Sequence, residues 1–239
     1  MNAATLKQSV RSFVYSRPIF RDAWLGLQRI MHRLQYLANY GFWDWCFDKW
    51  HGLETAGFRP PTELSVKGSH GQDNTGYLPV RPRAFLRGLS SLPIDYSKYY
   101  FVDLGSGKGR AILLAARYPF KRLIGVEFAK ELHDAALRNA SHSRYGKDTV
   151  EFVWADVLDF DFPAEPCVLY LFHPFGAETM RALLSKVARS ISERPRDIIL
   201  MYVNPEHEEV IRSQFPDCRL LSDVKVKQRC VAYRLQGQP

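Results

Sequence analysis

From residue 99 to residue 204 the chain alternates short apolar runs with longer amphipathic ones, and this rhythm constrains the fold more than any other feature. YYFVDL (99–104), RLIGVEF (122–128), TVEFVWAD (149–156), CVLYLF (167–172) and DIILMYVN (197–204) read as strands, being short and rich in β-branched and aromatic residues. Helical patterns follow them in GRAILLAARY, AKELHDAALRNASHS, a stretch over 177–192 and the short PEHEEVIRSQF. Strands that are apolar on both faces and joined through helices form a parallel sheet covered on both sides. The tail, CRLLSDVKVKQRCVAYRLQ, holds two strand-like runs around a short polar stretch, which predicts an antiparallel pair. The expected fold is therefore α/β: a doubly wound, mostly parallel seven-stranded sheet with a C-terminal antiparallel strand pair, plus an N-terminal helical extension. The domain boundary is expected between 76 and 77, and PRAFLRGLSSL (82–92) reads as a helix leading into the core.

In such sheets ligands sit beyond the carboxyl ends of the strands. The first strand ends in DLGSGKG, where Gly105, Gly107 and Gly109 let the backbone turn sharply and admit a ligand closely. They also open a helix, whose free N–H groups attract a carboxylate or phosphate. The spacing departs from the dinucleotide fingerprint GxGxxG, because Arg110 stands where its third glycine would fall. Asp103, two residues before the first glycine, would repel a pyrophosphate but welcome an ammonium or sulfonium group. Glu127, at the end of the second strand, can accept the hydroxyls of a ribose. Asp156, at the end of the third, can accept the exocyclic amine of an adenine. The fourth strand ends in LYLFHPFG (169–176), which sets His173, Pro174 and Phe175 at the same edge.

FVDLGSGKGR, LIGVEF, WADVL and LYLFHPFG resemble the signature segments of class I, seven-strand S-adenosylmethionine-dependent methyltransferases, over about residues 77 to 235. With TGYLPV ahead of the core, the chain is similar to uncharacterised bacterial members and, more loosely, to seven-strand protein-lysine methyltransferases. The resemblance implies S-adenosyl-L-methionine as cofactor. It implies that Gly105, Ser106, Gly107 and Gly109 line the methionine moiety, with Asp103 near its ammonium. Glu127, with Phe128 beside it, falls to the ribose; Asp156 and the backbone of Val157 fall to the adenine. Phe172 joins the cofactor site, and Tyr77 is a candidate lid residue. Relatives that methylate bases or amide nitrogens often carry Asn/Asp-Pro-Pro-Tyr/Phe after the fourth strand. Here Pro174 and Phe175 are kept, while His173 replaces the acceptor amide and the second proline is missing, which counts against base methylation. His173 has two readings: it orients or deprotonates an amine or hydroxyl nucleophile, or its ring only bonds nearby backbone. Tyr202 and Asn204 are secondary candidates for substrate contact, and Trp154 is expected in the core.

The activity implied is methyl transfer to an amine, a protein lysine among the candidates, or to a hydroxyl, on a small molecule or protein that the sequence does not name. Two other classes stay open: an NAD(P)-dependent oxidoreductase, and a non-catalytic nucleic-acid or membrane adaptor retaining the fold. Composition separates them only partly. The net charge of +8 admits an acidic partner such as nucleic acid, which is not favoured, and the excess lies mostly upstream of residue 100. The chain lacks the roughly 18 uncharged apolar residues in a row that a transmembrane helix requires. The cysteines, Cys46, Cys167, Cys218 and Cys230, form no zinc-type spacing; no metal is expected, and buried free thiols fit a cytoplasmic setting. The first twenty residues are basic and free of acid, like a transit peptide, although an N-terminal helix of the mature protein is the preferred reading. Residues 19 to 50 carry Leu25, Ile30, Leu34 and Leu37 at helical spacing, then Trp43, Trp45 and Trp50. This stripe is expected to pack on its own domain, with a membrane-surface or partner-binding face as the alternative. Residues 51 to 80 read as a long connecting loop.

Overall fold

The computed structural model describes residues 41–65, 75–142 and 149–236, with isolated positions between 27 and 37. Its elements in chain order are α1 (Phe42–His51), α2 (Pro82–Ser90), β1 (Tyr100–Leu104), α3 (Arg110–Ala115), β2 (Arg122–Glu127), α4 (Lys130–His142), β3 (Val150–Trp154), β4 (Cys167–Phe172), α5 (Ala177–Glu193), β5 (Ile198–Val203), α6 (Glu208–Gln214), β6 (Arg219–Val226) and β7 (Gln228–Leu235). The seven strands form one sheet in the order β3-β2-β1-β4-β5-β7-β6. β3, β2, β1, β4 and β5 run parallel, and β7 pairs antiparallel with both β5 and β6. The order reverses direction between β1 and β4, which is where ligands of doubly wound sheets bind.

The alternation of side chains along each strand builds two cores. On β5, Ile198, Leu200 and Tyr202 join one cluster with Met180, Leu183, Leu184 and Val187 of α5 and Ile211 of α6. Ile199, Met201 and Val203 face the other side, with Phe85 and Leu89 of α2 and Ile112 of α3. A residue period of two, expressed on a strand covered on both faces, gives a continuously apolar sequence. Each buried leucine or isoleucine here contributes roughly 1.5–3 kcal/mol relative to exposure. Cys167 and Cys230 are buried free thiols, as expected.

Two expectations need correction. Trp154 is not in the core but 39% exposed. β3 is the edge strand, and at its end the Trp154 indole donates its N–H to the Phe128 carbonyl at 3.0 Å with the Lys130 ammonium 5.4 Å from its ring centre. The aromatic stripe does not pack away: Trp43, Trp45 and Trp50 are all exposed. By compactness the chain divides into two units, Met1–Trp43 and Asp44–Pro239, the second of which contains the sheet. The first twenty residues and Leu25 lie outside the described residues.

Candidate active site

The turn after β1 is shaped by contacts that leave no room for a Cβ. Gly105 has φ 104°, and a Cβ there would lie 2.8 Å from Pro174. Gly107 has φ 53°, and a Cβ there would lie 2.4 Å from the Tyr77 ring. The turn is therefore pressed from one side by the loop after β4 and from the other by the segment ahead of α2. The N–H groups of Gly105 and Ser106 both donate to the Val126 carbonyl, at 3.0 and 2.9 Å, which ties the turn to the end of β2.

Two buried carboxyls flank this turn. Asp103 and Glu127 are 2% and 3% exposed. Glu127 accepts the N–H groups of Gly107 and Ala129, both at 2.8 Å. Burial pushes its pKa up to about 7, against the opposing pull of those backbone donors. Asp103 sits in register between Gly125 of β2 and Tyr170 of β4. Its pKa is raised well above the usual carboxylate range, by burial first and then by Glu127. Unlike Glu127, it gains no hydrogen-bond donor to offset that cost. The hydroxyls of Ser106 and Tyr170 are likewise buried without a hydrogen-bond partner. Such groups cost stability when nothing meets them. Together they fit a ligand that carries a cation and several hydroxyls. Glu127 retains acceptor capacity beyond its two backbone bonds, because a carboxylate has about four lone-pair sites. At the end of β3, Asp156 and Val157 are buried, and Asp156 accepts the Leu158 N–H at 2.9 Å.

The residues after β4 divide. Phe175 is buried in the core cluster with Val157 and Phe160, so its ring is taken up by packing. Phe172 is half-buried against the opposite core. Pro174 abuts Gly105, as noted. His173 takes the unusual φ of 39° and is bound at both ring nitrogens: Nδ1 lies 3.2 Å from the Tyr202 hydroxyl and Nε2 3.2 Å from the Glu206 carboxylate. A carboxylate only accepts, so in the neutral ring Nε2–H donates to Glu206 and Nδ1 accepts from Tyr202. Burial lowers the His173 pKa, with Glu206 opposing and His207 adding to the fall. Asn204, at φ 54°, donates its side-chain amide to the other Glu206 oxygen at 3.0 Å. One imidazole thus joins the ends of β4 and β5.

Sequence reasoning missed the clamp that holds the upstream segment over the turn. Thr75 donates its hydroxyl to the His173 carbonyl at 2.6 Å and its N–H to the Pro174 carbonyl at 3.3 Å. Tyr77 pairs with Arg59 through two backbone hydrogen bonds of 2.7 and 3.0 Å, and its hydroxyl donates to the Thr55 carbonyl. Arg110, fully buried at the start of α3, donates Nε–H to the Thr55 hydroxyl at 2.6 Å and pairs with Asp44 and Asp48. Asp48 also accepts the N–H groups of Thr55 and Ala56, both at 2.6 Å. Lys108 donates to the Ala56 carbonyl at 2.7 Å. The Asn139 amide bridges Glu54 and Lys108, accepting from the former at 2.8 Å and donating to the latter's carbonyl at 3.0 Å. The available signal was the pair of cations inside GSGKGR and two aspartates one helical turn apart at 44 and 48.

The sheet order, with its mostly parallel strands and closing antiparallel pair, is that of the Rossmann-like methyltransferase fold. Residues 101–194 match the family described as a methyltransferase domain. Among solved structures, the chain is similar to the pyocyanin biosynthetic protein PhzM, with a TM-score of 0.52 and 13% identity over 64% of this chain and 54% of that one. It is also similar to a "predicted N6-adenine-specific DNA methylase" from Listeria monocytogenes, with a TM-score of 0.50 and 16% identity over 68% of this chain and 53% of that one. An RNA methyltransferase from Salinibacter ruber, solved with S-adenosyl-L-homocysteine, reaches 0.47 at 16% identity over 68% of this chain and 96% of that one. No curated protein sequence matches the chain.

Proposed function

We propose that the protein is an S-adenosylmethionine-dependent methyltransferase whose acceptor is an amine or a hydroxyl. The observation that carries this reading is the buried Asp103 carboxyl beside the unpartnered Ser106 hydroxyl. A cationic amino-acid moiety lying on the glycine turn relieves the cost of both. Gly105, Gly107 and Gly109 give that moiety backbone contact, Glu127 and Phe128 serve the ribose, and Asp156 with Val157 serves the adenine. Tyr77 closes over the turn, and Phe172 joins the cofactor site from the end of β4. Bound there, S-adenosylmethionine supplies an electrophilic methyl group.

His173, Pro174 and Phe175 then mark the acceptor side. Burial keeps His173 neutral, and its Nε2–H holds Glu206 in place. The Glu206 side chain is 57% exposed, so its carboxylate can also accept a hydrogen from an incoming amine or hydroxyl. The proton shed by the acceptor passes to this carboxylate–imidazole pair, while Pro174 and Phe175 fix the loop that carries it. Positioning of this kind supplies a large share of the rate in a direct displacement. Tyr202 orients the ring from behind.

Calorimetric titration with S-adenosylhomocysteine and with NADH tests the cofactor assignment. Binding of the former alone, lost in Glu127→Ala, is the expected result; no binding of S-adenosylhomocysteine by the wild-type protein overturns it. Incubation with labelled S-adenosylmethionine and cell extract, with and without protease, then distinguishes a protein acceptor from a small one.

A further inference from the structure

We propose that the N-terminal segment is an interfacial anchor that holds the protein on an anionic lipid surface through the exposed apolar stripe of Leu27, Ile30, Met31, Leu34 and Leu37. This goes beyond the methyltransferase reading and does not depend on it. Of the twelve large apolar residues exposed among the described residues, nine lie between 27 and 50. The five residues of the stripe are each 50–63% exposed, and the described positions 27, 30, 31, 34 and 36 are helical. Spacings of three and four put them on one face of the helix. A soluble domain does not ordinarily leave so continuous an apolar stripe in water.

The charge pattern selects the occupant. Within residues 1–43, Lys7, Arg11, Arg17, Arg21, Arg29 and Arg33 are offset by Asp22 alone. Nucleic acid would take the arginines but offers nothing to leucine, isoleucine and methionine side chains. A second copy would cover the stripe but would bring two strongly basic segments together. A bilayer with anionic headgroups satisfies both demands, and a segment whose sequence is basic and which exposes a leucine-rich apolar stripe has the composition of an interfacial anchor. Tryptophan favours the same boundary, and Trp43 is 71% exposed. The mode is lying on the membrane rather than crossing it: among the described residues no helix is long and apolar enough to cross, and Arg29, His32 and Arg33 interrupt the stretch.

Flotation of the full chain with vesicles tests the proposal. One set is phosphatidylcholine alone; the other contains phosphatidylglycerol as well. Binding to the anionic set is expected to be at least about tenfold stronger and to weaken in high salt. Ile30→Glu with Leu34→Glu abolishes it, while Arg29→Gln with Arg33→Gln weakens it by about fivefold per charge at the surface. Thermal unfolding of each variant confirms that the sheet unit is intact. Equal or absent partitioning into the two vesicle types overturns the proposal, as does anionic binding that survives the glutamate variant. A wild-type dimer that the same variant dissolves, with no vesicle binding in either protein, also overturns it and assigns the stripe to a second copy.

Discussion

Raising the pH from about 5.5 to about 8.5 removes stability from the ligand-free protein at one identifiable group, Glu127. Its folded-state pKa is about 7 against an ordinary value of 4.5, because burial opposes the charge more than the Gly107 and Ala129 N–H groups favour it. The fold therefore binds this proton more tightly than the unfolded chain does. The stabilisation is fully present below about pH 4.5 and is lost as the pH rises through 7. Linkage gives about 2 kcal/mol still present at pH 5.5 and almost none at 8.5. For a chain of this size that corresponds to a fall in Tm of about 4–8 °C. His51, His133 and His173, whose pKa values burial lowers, titrate in the opposite sense over the lower part of this range. The readout is therefore the urea stability of wild type minus that of Glu127→Gln at each pH, in which the histidines cancel. Asp103 is raised by burial and then by Glu127, so the variant keeps the first contribution and removes the second. The difference is expected to shrink by about 2 kcal/mol across the range in favour of the variant. A difference that stays flat with pH refutes the reasoning. Saturating S-adenosylhomocysteine, whose ammonium would lie by Asp103, is expected to reduce the wild-type fall.

Asp103→Asn removes a buried carboxyl that has no donor to meet it, so the ligand-free protein gains about 1–3 kcal/mol in urea unfolding. The same change lowers S-adenosylhomocysteine affinity tenfold or more by calorimetry, separating stability from function at one residue. Arg110→Met leaves Asp44 and Asp48 buried without their shared guanidinium, at a cost of about 3–5 kcal/mol in the same unfolding assay. Gly107→Ala meets the Tyr77 ring and a left-handed backbone together, and is expected to abolish S-adenosylhomocysteine binding while leaving the far-UV circular dichroism spectrum unchanged.

The sheet was legible because β1, β2, β4 and β5 are buried along nearly their whole length and so are apolar on both faces, and each ends within a residue or two of a turn signal. That Asp103, Glu127 and Asp156 share one edge was legible for a related reason: each stands near the carboxyl end of a strand, and the parallel register brings the three ends together. Trp154 was not, because alternation says which face a side chain takes but not whether anything covers it, and β3 proved to be an edge. His173 was half legible. Its location followed from β4, but its partners Tyr202 and Glu206 come from the next strand and the loop beyond it, and the commitment of both ring nitrogens depends on that approach. The Arg110 clamp was hidden for the same reason, since its acids lie in α1, far away in the chain. Nor does a helical stripe reveal whether it packs inward, as residues 27 to 50 illustrate.

The Arg110 clamp also fixes where the protein can be cut. The family match begins at residue 101, and the strand–helix alternation invites a fragment beginning at 77. Such a fragment would strand the guanidinium of Arg110, the ammonium of Lys108, the amide of Asn139 and the hydroxyl of Tyr77, all of which find their partners between 44 and 56. The shortest excisable piece is therefore expected to begin at Asp44, and one that begins after Thr55 to collect in the insoluble fraction.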